Sequence, residues 1–146
     1  MRADDGRHTL DPDRYLAAID AVRRELGERM VIQITTEAVG RYGPAEQMAV
    51  VRALRPEAVS LALAELIPDE GATNEAAAFL AWLRHERIAP QYILYTPDEV
   101  TRFHDLRARG VIPQRRPNTH TAQGQSASWA ARKGSRSRGC ASVSSP

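Results

Sequence analysis

Three short stretches carry hydroxyls and carboxylates directly behind apolar, β-branched runs: Thr35-Thr36-Glu37, Ser60 through Glu65, and Tyr95-Thr96. Thr36 and Ser60 can each donate and accept a hydrogen bond, which suits the oxygens of a carboxylate or a ketone. Glu65 could serve as a base, as a carboxylate ligand, or as the partner of a substrate ammonium. Each also has an ordinary structural use. Threonine is common in strands, Ser60 can satisfy its hydroxyl within a sheet, and Glu65 can be a solvated loop acid. The remaining chemistry is sparse. His8, His85, His104 and His120 are isolated, without an H-x-H or H-E-x-x-H pair, and solvated positions are expected for the first three. Cys140 is the only cysteine, so neither a zinc-binding pair nor an internal disulfide can form. No G-x-S-x-G supports a serine hydrolase.

The elements that must position these groups are well marked. Asp11 ahead of Pro12 is a helix start, with a side chain able to accept from free backbone N–H groups and a proline where no donor is needed. Tyr15, Ala18, Ile19, Val22 and Leu26 recur at helical spacing up to Gly27. Met30 to Thr36 is short and β-branched and predicts a strand. Met48, Val51 and Leu54 make the stripe of a second helix that stops at Pro56. Ala58 to Leu63 is a strand apolar on both faces, as when helices cover a parallel sheet on both sides. Thr73 is the expected cap of a helix carrying Ala76, Phe79, Leu80 and Leu83. Gln91 to Tyr95 is a third strand, and Thr96-Pro97-Asp98-Glu99 opens a last helix reaching Gly110.

The order is thus α-β-α-β-α-β-α, with strands recurring about every 30 residues, the length of a βαβ step. Such alternation implies a parallel sheet with right-handed crossovers. The expected fold class is α/β, and part of a (β/α)8 TIM barrel fits the spacing best. A doubly wound sheet is the competitor, although its G-x-G-x-x-G is absent. In either architecture ligands meet the carboxyl ends of the strands, where the three polar stretches lie. Three strands leave two bare sheet edges, so a larger layer or a second chain is expected to complete them.

Charge divides the chain. All 18 acidic residues precede Gln114, whereas 6 of the 20 basic residues follow it in a stretch of Ser, Ala, Arg, Gly and Gln. The net charge of +2 therefore belongs to residues 114–146, which read as a disordered basic tail, and residues 1–113 as one folded domain. No apolar leader or membrane-length run is present, and a cytoplasmic protein is expected.

Several segments together resemble the β-keto acid cleavage enzymes, whose type member is the 3-keto-5-aminohexanoate cleavage enzyme. They are Asp5 to Tyr15, Val31 to Thr36, Arg55 to Leu61, Gln91 to Tyr95 and Arg109 to Pro113, so the likeness covers residues 1–113. The resemblance implies an oligomeric (β/α)8 barrel that binds a divalent metal, commonly zinc. It also implies exchange of a small β-keto acid with acetyl-CoA to give acetoacetate and a new acyl-CoA. A metal would polarise the ketone while hydroxyl donors orient the carboxylate.

The family's metal motif, His-x-His followed by a short residue and Arg, aligns with this chain only from Met1 and Arg2. The resemblance therefore implies that no metal ligand is retained here. By position Thr35 or Thr36 matches a substrate-binding Ser/Thr, and Ser60 a second hydroxyl one strand later. Thr35-Thr36-Glu37-Ala38 departs from the more usual Thr-Thr-Gly-Gly, which implies a different keto-acid preference. The chain is expected to be a fragment, with residues 114–146 a possible frameshift, and to be inactive alone. Two other readings are another metal-dependent barrel lyase or aldolase, and a small α/β module whose basic tail binds nucleic acid. The second leaves the ordered matches in residues 1–113 unexplained, so a nucleic-acid partner is not expected.

Overall fold

The structure, a computed structural model, describes residues 6–37 and 40–113. All of these belong to one unit, Met1–Gln114, while the basic tail expected over 114–146 lies outside the described residues. The helices are α1 (Pro12–Leu26), α2 (Pro44–Leu54), α3 (Leu63–Leu66), α4 (Thr73–Glu86) and α5 (Pro97–Ala108), and the strands are β1 (Gln33–Thr35), β2 (Ala58–Ala62) and β3 (Ala89–Ile93). The strands form one parallel sheet in the order β1-β2-β3. A mixed α/β unit with a three-stranded parallel sheet is therefore established. Among the described residues the sheet is open at both edges.

Local chemistry explains most boundaries. Asp11 accepts from the Asp13 amide, Thr96 accepts from the Glu99 amide, and Gly27 ends α1 with a φ of 60°. Thr73 behaves differently from its expected capping role. A turn of 3-10 helix over Glu70–Ala72, capped by Asp69, leads directly into α4, so Thr73 already lies inside the helix. Its hydroxyl is buried with no hydrogen-bond partner. Residues 63–66, expected as the end of a strand and a loop, form α3 instead.

The third strand runs two residues earlier than its apolar pattern suggests, from Ala89, and includes Pro90. Proline is tolerated there because β3 is an edge of this sheet and one side of it makes no ladder bonds. Strand β1 is shorter than expected, because side chains intercept the preceding backbone. The Ile32 amide donates to Glu57 at 3.0 Å, and Arg23 donates to the Met30 carbonyl at 2.9 Å.

Strand pleating separates two faces. Ile34, Val59 and Leu61 join the main core with Met48 and Val51 of α2, Phe79, Leu80 and Leu83 of α4, and Leu106 of α5. The opposite face carries Gln33, Thr35, Ala58, Ser60 and Gln91, and both glutamines are exposed. The core thus lies between the sheet and the helices, and the polar face is the one turned away from it.

Candidate functional site

The register decides which polar groups meet. Thr35 lies opposite Ser60, and Ser60 opposite Gln91, so two hydroxyls and a carboxamide share one level of the same sheet face. Ser60 is 8 % exposed. Its hydroxyl donates to the Ile34 carbonyl at 3.4 Å and accepts from Gln33 Nε2 at 3.1 Å. Gln33 Nε2 also donates to Gln91 Oε1 at 2.6 Å. Thr35 Oγ1 accepts from the Glu37 amide at 3.2 Å, and its carbonyl is held at 2.6 Å by the Tyr15 hydroxyl of α1.

Thr36 is placed apart from this row. It is wholly buried, with its hydroxyl 3.0 Å from Gln47 Oε1 of α2, and Gln47 in turn donates to the Tyr42 carbonyl. One residue along the chain has moved a hydroxyl from the polar face into the helix layer. The hydroxyl of Thr36 thus helps seat α2.

Beyond the strand ends, three loops converge. Glu37 follows β1 and accepts a hydrogen bond from the phenol of Tyr95, which follows β3. Glu65 of α3, just after β2, accepts from the Gly40 amide at 3.2 Å. The Tyr95 amide donates to the Glu99 side chain. His8 is half-buried rather than solvated, with Nδ1 donating to the Glu37 carbonyl at 3.2 Å. Because a carbonyl can only accept, that bond sets the neutral ring as the Nδ1–H tautomer and leaves Nε2 as the basic nitrogen. Arg41 donates to the His8 carbonyl at 2.8 Å and closes the same rim.

The hydrogen bond to Glu37 is the main reason the Tyr95 phenol is pushed up to about 12 from its ordinary 10.0. Burial comes next, and then the negative charges of Glu37, Glu65 and Glu99. Burial pushes Tyr15 and Tyr92 up to about 12 as well. A phenol whose folded pKa exceeds its unfolded value contributes stability in full below the unfolded pKa. That contribution declines as pH climbs from about 10 towards 12. The expected result is an alkaline transition in which Tyr15 and Tyr92, raised by burial, ionise together with unfolding above about pH 11, whereas the exposed Tyr95 ionises without it. Ultraviolet absorbance of tyrosinate, followed beside circular dichroism, checks it; ionisation of all four tyrosines at pH 10 in a still-folded chain would refute it.

A sequence model of the beta-keto acid cleavage enzyme family matches residues 1–133. The chain belongs to that family. The matched span runs beyond Pro113, where the resemblance read from individual motifs ends. No curated protein and no solved structure matches the chain.

For the divalent metal that the resemblance implies, no group of three or more His, Cys, Asp or Glu is placed to bind one among the described residues. The rim groups are committed elsewhere: Glu37 to Tyr95, Glu65 to the Gly40 amide, and His8 Nδ1 to the Glu37 carbonyl. Met1 and Arg2, which the resemblance sets beside the metal motif, lie outside the described residues. Likewise, no described helix is long and apolar enough to cross a membrane.

Residue types alone indicated Thr35, Thr36, Ser60, Glu65 and the Tyr95 stretch, of which Thr36 lies in the helix layer and not on the polar face. They did not indicate Gln33, Gln91 or His8. Alternation in Gln33-Ile34-Thr35 does carry a signal for Gln33, since a polar residue two places before Thr35 must share its face. Nothing local links Gln91 to either of them.

Proposed function

We propose that residues 6–113 supply part of the substrate-binding surface of a β-keto acid cleavage enzyme, built on part of a (β/α)8 barrel. The register that sets Thr35, the last residue of β1, opposite Ser60 in the middle of β2 carries this reading. The Thr35 hydroxyl spends a lone pair on the Glu37 amide and keeps its hydrogen for a ligand. That hydrogen is suited to a carboxylate or ketone oxygen, with Ser60 beside it. Glu65, one loop further out, is suited to a positively charged far end of the acid. The whole reaction would be exchange of a small β-keto acid with acetyl-CoA to give acetoacetate and a new acyl-CoA, in a cytoplasmic homo-oligomer.

No group of three or more His, Cys, Asp or Glu among the described residues is placed to bind a metal, and no step is assigned to one. The proposal is that the chain by itself binds the acid without turning it over. The purified chain, incubated with acetyl-CoA, a β-keto acid and zinc, is expected to form no acetoacetate above the protein-free rate. Titrated with acetoacetate at millimolar concentration, it is expected to show shifts of the Thr35 and Ser60 backbone amides in ¹⁵N NMR spectra. Turnover would refute the first half, and amides that do not respond would refute the second.

A further inference from the structure

We infer that Gln91 is a second donor of this surface beside Thr35, placed for an anionic oxygen, and that Gln33 is the positioning residue that aims it. This rests on the proposed keto-acid-binding role of the row that Thr35 and Ser60 form, in which the Thr35 hydroxyl is the donor left for the ligand and Ser60 anchors the relay. The inference follows from the direction in which hydrogen bonds must run. The Ile34 carbonyl can only accept, so the single hydrogen of the Ser60 hydroxyl is spent on it. Ser60 Oγ must then accept its other bond, which requires Gln33 to face it with an NH₂ group rather than a carbonyl. The second hydrogen of that same NH₂ goes to Gln91, which must answer with its oxygen. The amide of Gln91 is thereby oriented, although two amide flips taken separately would be ambiguous. Its two N–H donors have no partner among the described residues.

One backbone carbonyl thus dictates what is displayed two strands away. Gln91 shares a sheet level with Ser60, and Ser60 with Thr35, so the row ends in a hydroxyl hydrogen on one side and an NH₂ on the other. Donors at both ends favour a ligand that brings lone pairs, such as the carboxylate of a keto acid. The relay is not needed to satisfy buried atoms. Gln33 and Gln91 are exposed, and Ser60 already has the Ile34 carbonyl. Its specific effect is to set the polarity of Gln91.

The test is an acetoacetate titration of the complete chain by ¹⁵N NMR, reading the Gln91 side-chain amide and the Thr35 and Ser60 backbone amides. Gln91→Met keeps length and removes the donors. It should weaken binding about tenfold, the size of one hydrogen bond to a charged group. Gln33→Met should weaken binding about threefold in the wild-type background and should have no effect in the Gln91→Met background. That non-additivity separates positioning from a general loosening of the sheet, which would cost the same in both.

Unchanged affinity in Gln91→Met, with Thr35 and Ser60 still responding, would overturn the role of Gln91 and leave the proposed function standing. An equal cost of Gln33→Met in both backgrounds would overturn the positioning role. A wild-type chain whose Thr35 and Ser60 amides do not respond would overturn this inference together with the reading beneath it.

Discussion

Replacing Phe79 with alanine should remove about 3–5 kcal/mol of stability, a large share of the ~5–15 kcal/mol typical of a domain. Phe79 is fully buried in α4 and belongs to the core that joins the sheet to α2, α4 and α5. Its ring stacks on Trp82 with centroids 6.0 Å apart, and the Arg52 guanidinium of α2 lies over both rings, 5.5 and 4.9 Å from their centroids. Truncation therefore opens a cavity, removes an aromatic pair and loosens the α2–α4 contact at once. Urea unfolding should show a lower midpoint at unchanged slope. Leu16→Ala on α1, where the side chain is 45 % exposed, should shift stability by no more than about 0.5 kcal/mol. A loss below about 1 kcal/mol for Phe79→Ala would mean that the helix layer is not packed as described.

The second large effect is expected at Glu57, at the opposite end of β2 from the candidate site. Its carboxylate pairs with the Arg23 guanidinium of α1 and accepts the Ile32 amide at 3.0 Å, while its backbone carbonyl accepts from Ala89 at 2.9 Å. One residue thus ties α1, the approach to β1, and the start of β3. Arg23 and Glu57 are only 18 % and 22 % exposed, so removing the carboxylate leaves a cation and an amide with little water to replace it. Glu57→Ala should cost about 2–3 kcal/mol, below the figure for a fully buried pair because both side chains keep some solvent. Glu57→Gln, which keeps an acceptor, should cost less than half as much. Hydrogen exchange gives the site-specific readout: the Ile32 amide should exchange on the order of tenfold faster in Glu57→Ala. Unchanged exchange there would show that Glu57 does not hold β1 in place.

These two anchors bear on function through the positions of the strands. The polar row depends on β1, β2 and β3 keeping their register, since Thr35, Ser60 and Gln91 share a level only in that pairing. Glu57 holds β1 and β3 to β2 from below, and Phe79 holds the helix layer against the sheet. Neither touches the row. Keto-acid binding and the exchange with acetyl-CoA remain proposals to be met by the titration and the assay.

Residue types and spacing were sufficient for much of the architecture. Asp11, Gly27 and Thr96 act where their side chains or backbone freedom say they should, because caps and turns are decided within a few residues. The α/β alternation and the parallel sheet followed from periodicity, and the family from short segments in order. Thr35, Thr36, Ser60 and Glu65 were marked as candidates because polar residues in and just behind apolar strand runs stand out. Tertiary structure decided the rest. Thr35 and Thr36 are interchangeable by type, and only the pleat sends one to the polar face and the other to Gln47. Pro90 is admitted to β3 only because that strand lies at an edge. Thr73 loses its capping role to a preceding turn, and Glu37 and Tyr95 meet across the ends of the outer strands. The bond from Gln33 to Gln91 spans 58 residues and has no local signature. Elements arise from neighbours in the chain, whereas contacts across strands depend on register, and register exists only once the strands have paired.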